Sequence, residues 1–251
     1  MSSPPIVIIA VLGALGLIMG SFLGTLAMRL PQGRPVVFAR SCCDHCGHVL
    51  APWQLVPVLG FALQNGQCVQ CGARISPYYV LIELAGAIIA LWAVWLVPGA
   101  ALWPSLLLGW LLLALAFMDF RSLCLSDVLT VPLMFAGLAT GWYFDRGRFQ
   151  DHLIGAAAGW VSFVLVGQAY RVLRKREGLG AGDAKLLGAI GAWTRWDGLP
   201  SVVLIGSAVA LMFIIAQSLF GRALRLESKI PFGTFLCAGA WIVWLYGPVW
   251  G

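Results

Sequence analysis

Charge is scarce in this sequence of 251 residues: Asp, Glu, Lys and Arg together make up 10% of it, where a soluble domain carries roughly a quarter. That shortage excludes an ordinary water-soluble globular protein. Hydrophobic residues fill 61% of the chain and mean hydropathy is +0.90. No internal repeat and no low-complexity tract is evident. No basic stretch precedes the first apolar run, Ile6 to Met28, which argues against a secretory signal peptide and for a retained membrane helix. The net charge of +6 raises the question of nucleic acid, but the positions of the basic residues answer it otherwise.

What is present is a series of apolar runs, each near the roughly 20 residues needed to cross a bilayer core. After the first, spans are expected at 79–97, 100–118, 124–143, 153–172, 184–194, 200–220 and 232–250. Trp103, Trp142, Trp193, Trp196 and Trp250 fall near span ends, where indole rings sit at the headgroup level. With the N-terminus outside and every span crossing, thirteen Lys and Arg residues fall inside and only Arg146, Arg148 and Arg195 fall outside. This positive-inside asymmetry accounts for the net charge without nucleic acid. If 184–194 did not cross, the Arg222, Arg225 and Lys229 cluster would lie outside. The expectation is an all-α, polytopic membrane bundle of about eight transmembrane helices with a small cytoplasmic insert. Its parts are helix 1 at 1–28, a cysteine-rich loop at 29–78 and a seven-helix membrane domain at 79–251.

Five of the seven cysteines lie in that loop. Cys43 and Cys46 form one CxxC pair and Cys68 and Cys71 another, with 21 residues between the pairs. Two such turns deliver four thiolates, the set that zinc takes tetrahedrally in structural knuckles. A reducing cytoplasm disfavours disulfides, leaving packed, unmetallated thiols as the other reading. His45 and His48 are expected beside the site rather than in it, and Cys42 is spare. Cys124 and Cys237, in apolar context, are expected to be small buried hydrophobes. The run Pro52 to Leu63 is too short to span. It either lies on the membrane surface or forms the loop's own core.

Only ten acidic residues exist. Glu177 and Glu227 lie among basic residues, Asp145, Asp151 and Asp197 in outer loops, and Asp44 in the cysteine loop. Glu83, Asp119, Asp127 and Asp183 remain at or near membrane depth, where an ionisable group costs at least about 2.5–3.5 kcal/mol and is by default functional. The topology gives Asp119 and Asp183 one face and one depth. Two such carboxylates can share a proton, one acting as base toward water and the other as acid toward a carbonyl, which is a metal-free route to peptide hydrolysis. The bland alternative for each is a helix cap or a pairing with Arg121 or Lys185, and Asp127 suits a cap. The glycines of Gly178-Leu179-Gly180-Ala181-Gly182 resemble a nucleotide-binding loop, but no strand precedes them as such loops require. Beside an aspartate they allow a substrate backbone to approach closely.

With GSFLGTLAMRLP closing helix 1, the paired CxxC loop, ISPYYVLIEL, MDFRSLCLSDVLTVP, GLGAGDAKLLGAIGAW and KIPFGTF, the sequence resembles the bacterial type IV prepilin peptidases over nearly its whole length. The stretch Gly180 to Asp183 matches the signature of GxGD intramembrane aspartyl proteases. The resemblance implies a catalytic pair, Asp119 and Asp183, with Gly180, Gly182, Lys185, Pro231, Phe232 and Gly233 in the active-site and substrate loops. It implies cleavage of prepilins and type II secretion pseudopilins after a glycine on the cytoplasmic side, at a bacterial inner membrane. N-methylation by S-adenosylmethionine would follow, with structural zinc on Cys43, Cys46, Cys68 and Cys71. Membrane lipids and the pilin substrates are the implied partners, and nucleic acid is not among them. Three positions depart from the family pattern: Gly24 replaces Asn, Ser126 replaces Pro and Thr234 replaces Pro. Two other readings stay open at this point: a peptidase without methylation, and a proton-coupled transporter. Transporters tend to show inverted repeats, which are not evident here.

Overall fold

The computed structural model describes residues 4–34, 40–43, 45–175, 180–220 and 230–250. Asp44, Glu177, Gly178, Leu179, Arg222, Arg225, Glu227 and Lys229, discussed above, lie outside the described residues. Eight helices are present among the described residues: α1 (Ile6–Arg29), α2 (Leu59–Leu63), α3 (Tyr78–Leu96), α4 (Leu102–Ser122), α5 (Asp127–Phe144), α6 (Phe149–Arg174), α7 (Ala181–Leu219) and α8 (Phe232–Tyr246). No strand occurs among them, only two isolated bridges in the cysteine insert. Five helical stretches, Ile6–Gln32, Tyr78–Leu96, Gly99–Ser122, Arg146–Arg174 and Ala181–Leu219, are long and apolar enough to cross a membrane. Phe232–Tyr246 is a shorter apolar helix.

Helix α7 resolves the two expected spans at 184–194 and 200–220. Its 39 residues would run about 58 Å if straight, nearly twice a bilayer core. It breaks at Arg195, whose φ of 62° and ψ of 179° are non-helical. A positive φ is uncommon outside glycine, and side-chain bonds hold it here. The Arg195 guanidinium donates to Asp145 Oδ2 at 3.0 Å and to both Asp197 oxygens at 3.3 and 3.2 Å. Three of the charged residues expected in outer loops, Asp145, Arg195 and Asp197, are therefore the clamp on this break.

The chain divides into two compact units, Met1–Ala114 and Leu115–Gly251. In the first, α1 and α3 meet through small residues. A Cβ on Gly16 would stand 2.6 Å from the Ala87 Cα, and one on Gly20 would stand 2.6 Å from the Glu83 Cα. With lipid as apolar as the helix surface, backbone approach of this kind is what holds membrane helices together. Gly24 continues the seam: a Cβ there would lie 2.7 Å from Ile82 Cγ2, so the asparagine usual in the family would have to displace Ile82. In the second unit, Gly155 and Gly159 of α6 meet Gly188 and Gly191 of α7, and Gly206 of α7 meets Gly239 of α8, in the same way.

Burial corrects two expectations. Trp193 is not an interfacial ring. It is 2% exposed, donates to the Leu133 carbonyl at 2.8 Å and packs edge-on against Trp244. Cys124 is exposed in the turn between α4 and α5, whereas Cys237 is buried as expected. The Pro52–Leu63 run turns its large apolar side chains, among them Trp53, Leu59 and Leu63, outward. Its buried members are polar or small: Gly60 and Gln54, whose amide donates to the buried Gln64 just beyond the run at 3.2 Å. Apolar side chains outside and amides inside fit a segment lying on the bilayer surface rather than a loop core.

Candidate active site and metal centre

Asp119 occupies the last turn of α4 and is 5% exposed. Asp183 lies in the first turn of α7, where its backbone N–H bonds the Gly180 carbonyl at 3.1 Å and Gly180 is the N-cap. Between the two runs the start of α8. A Cβ built on Gly233 would stand 3.0 Å from Asp119 Oδ2 and 3.1 Å from Asp183 Oδ1. The two oxygens are thus separated by no more than the sum of those distances, with one glycine Cα beside them. Space is tight here: a methyl group would press on both carboxylates and on Leu125 Cδ1 at 3.0 Å, and these neighbours would have to give by a few tenths of an ångström.

Thr234 follows immediately. Its backbone N–H donates to Asp119 Oδ2 at 2.8 Å, and its hydroxyl lies 3.2 Å from the same oxygen and 2.9 Å from the Ala116 carbonyl. This orients the Asp119 carboxylate. The proline usual in the family has no N–H to give, so the departure at Thr234 supplies a contact that the common sequence cannot. Thr234 was visible in the sequence only as a departure, because a backbone donor leaves no mark in side-chain pattern.

The other expected loop residues are arranged around this centre. Gly182 faces Leu125, whose Cβ would lie 3.0 Å from a Cβ there, and Phe232 stacks on Phe163 at a ring distance of 6.1 Å. Pro231 is the N-cap position of α8. Lys185 is engaged elsewhere: its ammonium donates to both oxygens of Asp127 at 2.8 Å, on an exposed surface. Asp127 is not the cap of α5. It is the first helical residue, and the Ser126 hydroxyl does the capping by accepting the Val128 N–H at 3.3 Å.

The four cysteines converge. Their sulfurs all lie within 4.8 Å of one another, with Cys43 to Cys71 and Cys46 to Cys68 both at 3.9 Å. A tetrahedron with zinc–sulfur bonds of about 2.3 Å has sulfur–sulfur edges of about 3.8 Å, so the donor set fits structural zinc. Each pair sits on a tight turn closed twice. Gly47 N bonds Cys43 O and Cys43 N bonds His48 O, while Gly72 N bonds Cys68 O and Cys68 N bonds Ala73 O, all at 2.9 Å. Gly47 and Gly72 take φ of 71° and 70°, a conformation that glycine adopts without strain. The turn amides favour thiolates. Backbone N–H groups of Cys46 and His45 lower Cys43, and those of Cys71 and Gln70 bring Cys68 down to about 7. The His48 amide also favours the Cys46 thiolate, but desolvation and the neighbouring thiols push that residue up to about 12. Four clustered thiolates would need a cation, which a bound zinc ion would supply. No histidine joins the cluster among the described residues.

A pair of carboxylates at the ends of two apolar helices, closed over by the glycine of a third, is the pattern of an intramembrane aspartyl protease. Residues 14–97 match the bacterial peptidase A24 N-terminal domain, and residues 106–215 match the type IV leader peptidase family. A Burkholderia pseudomallei (strain 1026b) protein named prepilin leader peptidase/N-methyltransferase is 36% identical, covering 93% of this chain and 84% of its own length. Proteins of the same name are 38% identical in Aeromonas hydrophila, over 83% of this chain and 72% of the relative, and 32% identical in Pseudomonas aeruginosa, over 98% and 93%. The chain belongs to the prepilin leader peptidase/N-methyltransferase family. No solved structure matches it.

Proposed function

We infer that this protein is an inner-membrane enzyme that removes the leader of prepilin-type substrates and methylates the new N-terminus. Family membership supports both activities, and the observation that carries the peptidase assignment is Gly233 lying against Asp119 and Asp183 together. In the reaction we assign to them, the two carboxylates hold one proton between them. One removes a proton from the attacking water while the other donates to the scissile carbonyl oxygen, and their roles reverse as the amine leaves. Thr234 fixes Asp119 Oδ2, the oxygen that lies beside Gly233 on the side of Asp183. The close backbone at Gly180, Gly182 and Gly233 gives an extended peptide room beside the dyad.

The finer reading is that cleavage follows a glycine on the cytoplasmic side and that pseudopilins of type II secretion are substrates as well as pilins. The positive-inside count supports a cytoplasmic cysteine insert and a periplasmic N-terminus. S-adenosylmethionine, when bound, supplies an activated methyl group on a sulfonium sulfur. The test is incubation of the purified protein with a prepilin and the methyl donor, followed by mass measurement of the product. Loss of the leader mass reports the first activity and addition of one methyl group reports the second. An unchanged prepilin would contradict the assignment.

A further inference from the structure

Unit Met1–Ala114 contains a cavity of about 340 Å³ between α1, α3 and the cysteine insert. That volume lies within the roughly 300–1,000 Å³ of small-molecule sites. Glu83 lines it and is 7% exposed. Its Oε2 accepts the Val58 N–H at 2.8 Å, and among the described residues it forms no ion pair. Burying a carboxylate is costly unless it is paired, and the hydrogen bond it receives here comes from a neutral donor.

The donor is held by a strained turn. Val58 has φ 61° and ψ −50°, and Leu59 N bonds the Pro57 carbonyl at 2.6 Å around it. This is a γ-turn of the rare positive-φ kind, on a β-branched residue that disfavours it. Such strain persists where surrounding structure enforces it and clusters at ligand sites. Here its consequence is specific: it aims the Val58 amide at Glu83 and orients the carboxylate in the cavity wall. The remaining lining offers Arg29 and Arg74 as cations and Phe61 and Tyr79 as flat apolar surfaces.

We propose that this cavity binds S-adenosylmethionine and that Glu83 is the group that recognises the positive charge of its sulfonium. The ligand carries a cationic sulfonium and ammonium, a carboxylate and a planar adenine. The lining provides one buried anion, two cations and two aromatic rings, a complementary set. The proposal rests on the methyl-transfer reading above and deepens it by giving that activity a site. A purely structural role would have Glu83 simply tether the insert to α3 through Val58.

The variant Glu83→Gln separates these roles, because the amide oxygen still accepts the Val58 N–H but the charge is gone. Binding of labelled S-adenosylmethionine and of S-adenosylhomocysteine, which has no sulfonium charge, is measured on the full-length protein in detergent. The zinc content of each preparation is recorded. Glu83→Gln should weaken S-adenosylmethionine about tenfold or more, the scale of a lost charge-assisted contact, and S-adenosylhomocysteine clearly less. Zinc content should not change. A second variant, Thr25→Trp, places a large ring on the α1 wall of the cavity and should exclude both ligands. Unchanged S-adenosylmethionine binding in both variants would overturn the proposal while leaving methyl transfer intact at some other site. Equal weakening of the two ligands by Glu83→Gln, or loss of zinc, would overturn the charge-recognition role. A wild-type protein that neither binds the donor nor methylates a cleaved pilin would overturn the underlying reading and this site with it.

Discussion

Asp119 and Glu83 begin alike and end differently. Each is a buried carboxylate on an apolar helix, and each accepts one backbone N–H at 2.8 Å, from Thr234 and Val58 respectively. Asp119, in the unit Leu115–Gly251, has a second carboxylate next to it across Gly233. Glu83, in the unit Met1–Ala114, has an open cavity and no acidic partner lining it among the described residues. Two adjacent carboxylates can trade a proton, whereas a single one can only hold its charge and attract another. The neighbour decides the chemistry, and on the reading proposed above hydrolysis belongs to one unit and recognition of a cationic methyl donor to the other.

The hardest blow to that comparison comes from the dyad. Asp119→Asn and Asp183→Asn should each lower leader cleavage by roughly 10²–10⁴-fold, since Asn keeps the volume but cannot trade protons. Both should still methylate a pre-cleaved pilin. Full cleavage by Asp119→Asn in a timed gel assay would remove it from the dyad. Gly233→Ala sharpens the geometry: a methyl group crowding both carboxylates should slow cleavage by about 10–100-fold, as small misplacements of reacting groups do. Wild-type rates in that variant would show that the close approach is not needed. Thr234→Val keeps the N–H and removes the hydroxyl, so a loss of about three- to tenfold is expected, the worth of one hydrogen bond. Asp127→Asn should matter least. Its partner Lys185 is exposed, and an exposed pair contributes about 0–1 kcal/mol, so the cleavage rate should change by no more than about fivefold.

Much of this arrangement was legible in the sequence because ionisable residues are so few. Asp119, Asp183 and the four cysteines stand out against apolar surroundings, and CxxC spacing carries its own geometry. The two spans expected either side of Arg195 match the two arms of α7. What could not be read was which way apolar residues face. In a membrane bundle the lipid-facing and the buried surfaces are both apolar, so nothing in the pattern tells that Trp193 packs inward while Trp196 does not. Contacts made by backbone amides were equally hidden. The Thr234 N–H on Asp119 and the Val58 N–H on Glu83 depend on local φ and ψ, which side-chain identity does not disclose. Hydropathy also separated helix 1 from the rest at the polar loop, whereas packing joins α1 to α3 through their glycine seam.

The separation of the two chemistries is tested most directly by disabling the cysteine insert and measuring both activities on one preparation. Wild-type protein should carry about one zinc per chain, and Cys42→Ser should retain it. The double variant Cys43→Ser with Cys71→Ser should lose the metal and loosen the insert that walls the cavity. Its initial rates of leader cleavage and of methyl incorporation into a pre-cleaved pilin are then compared with wild type. The account predicts that methyl incorporation is lost while a substantial part of the cleavage rate survives, because Asp119, Asp183 and Gly233 all belong to the other unit. An equal fall in both rates would contradict it and make the insert part of the peptidase.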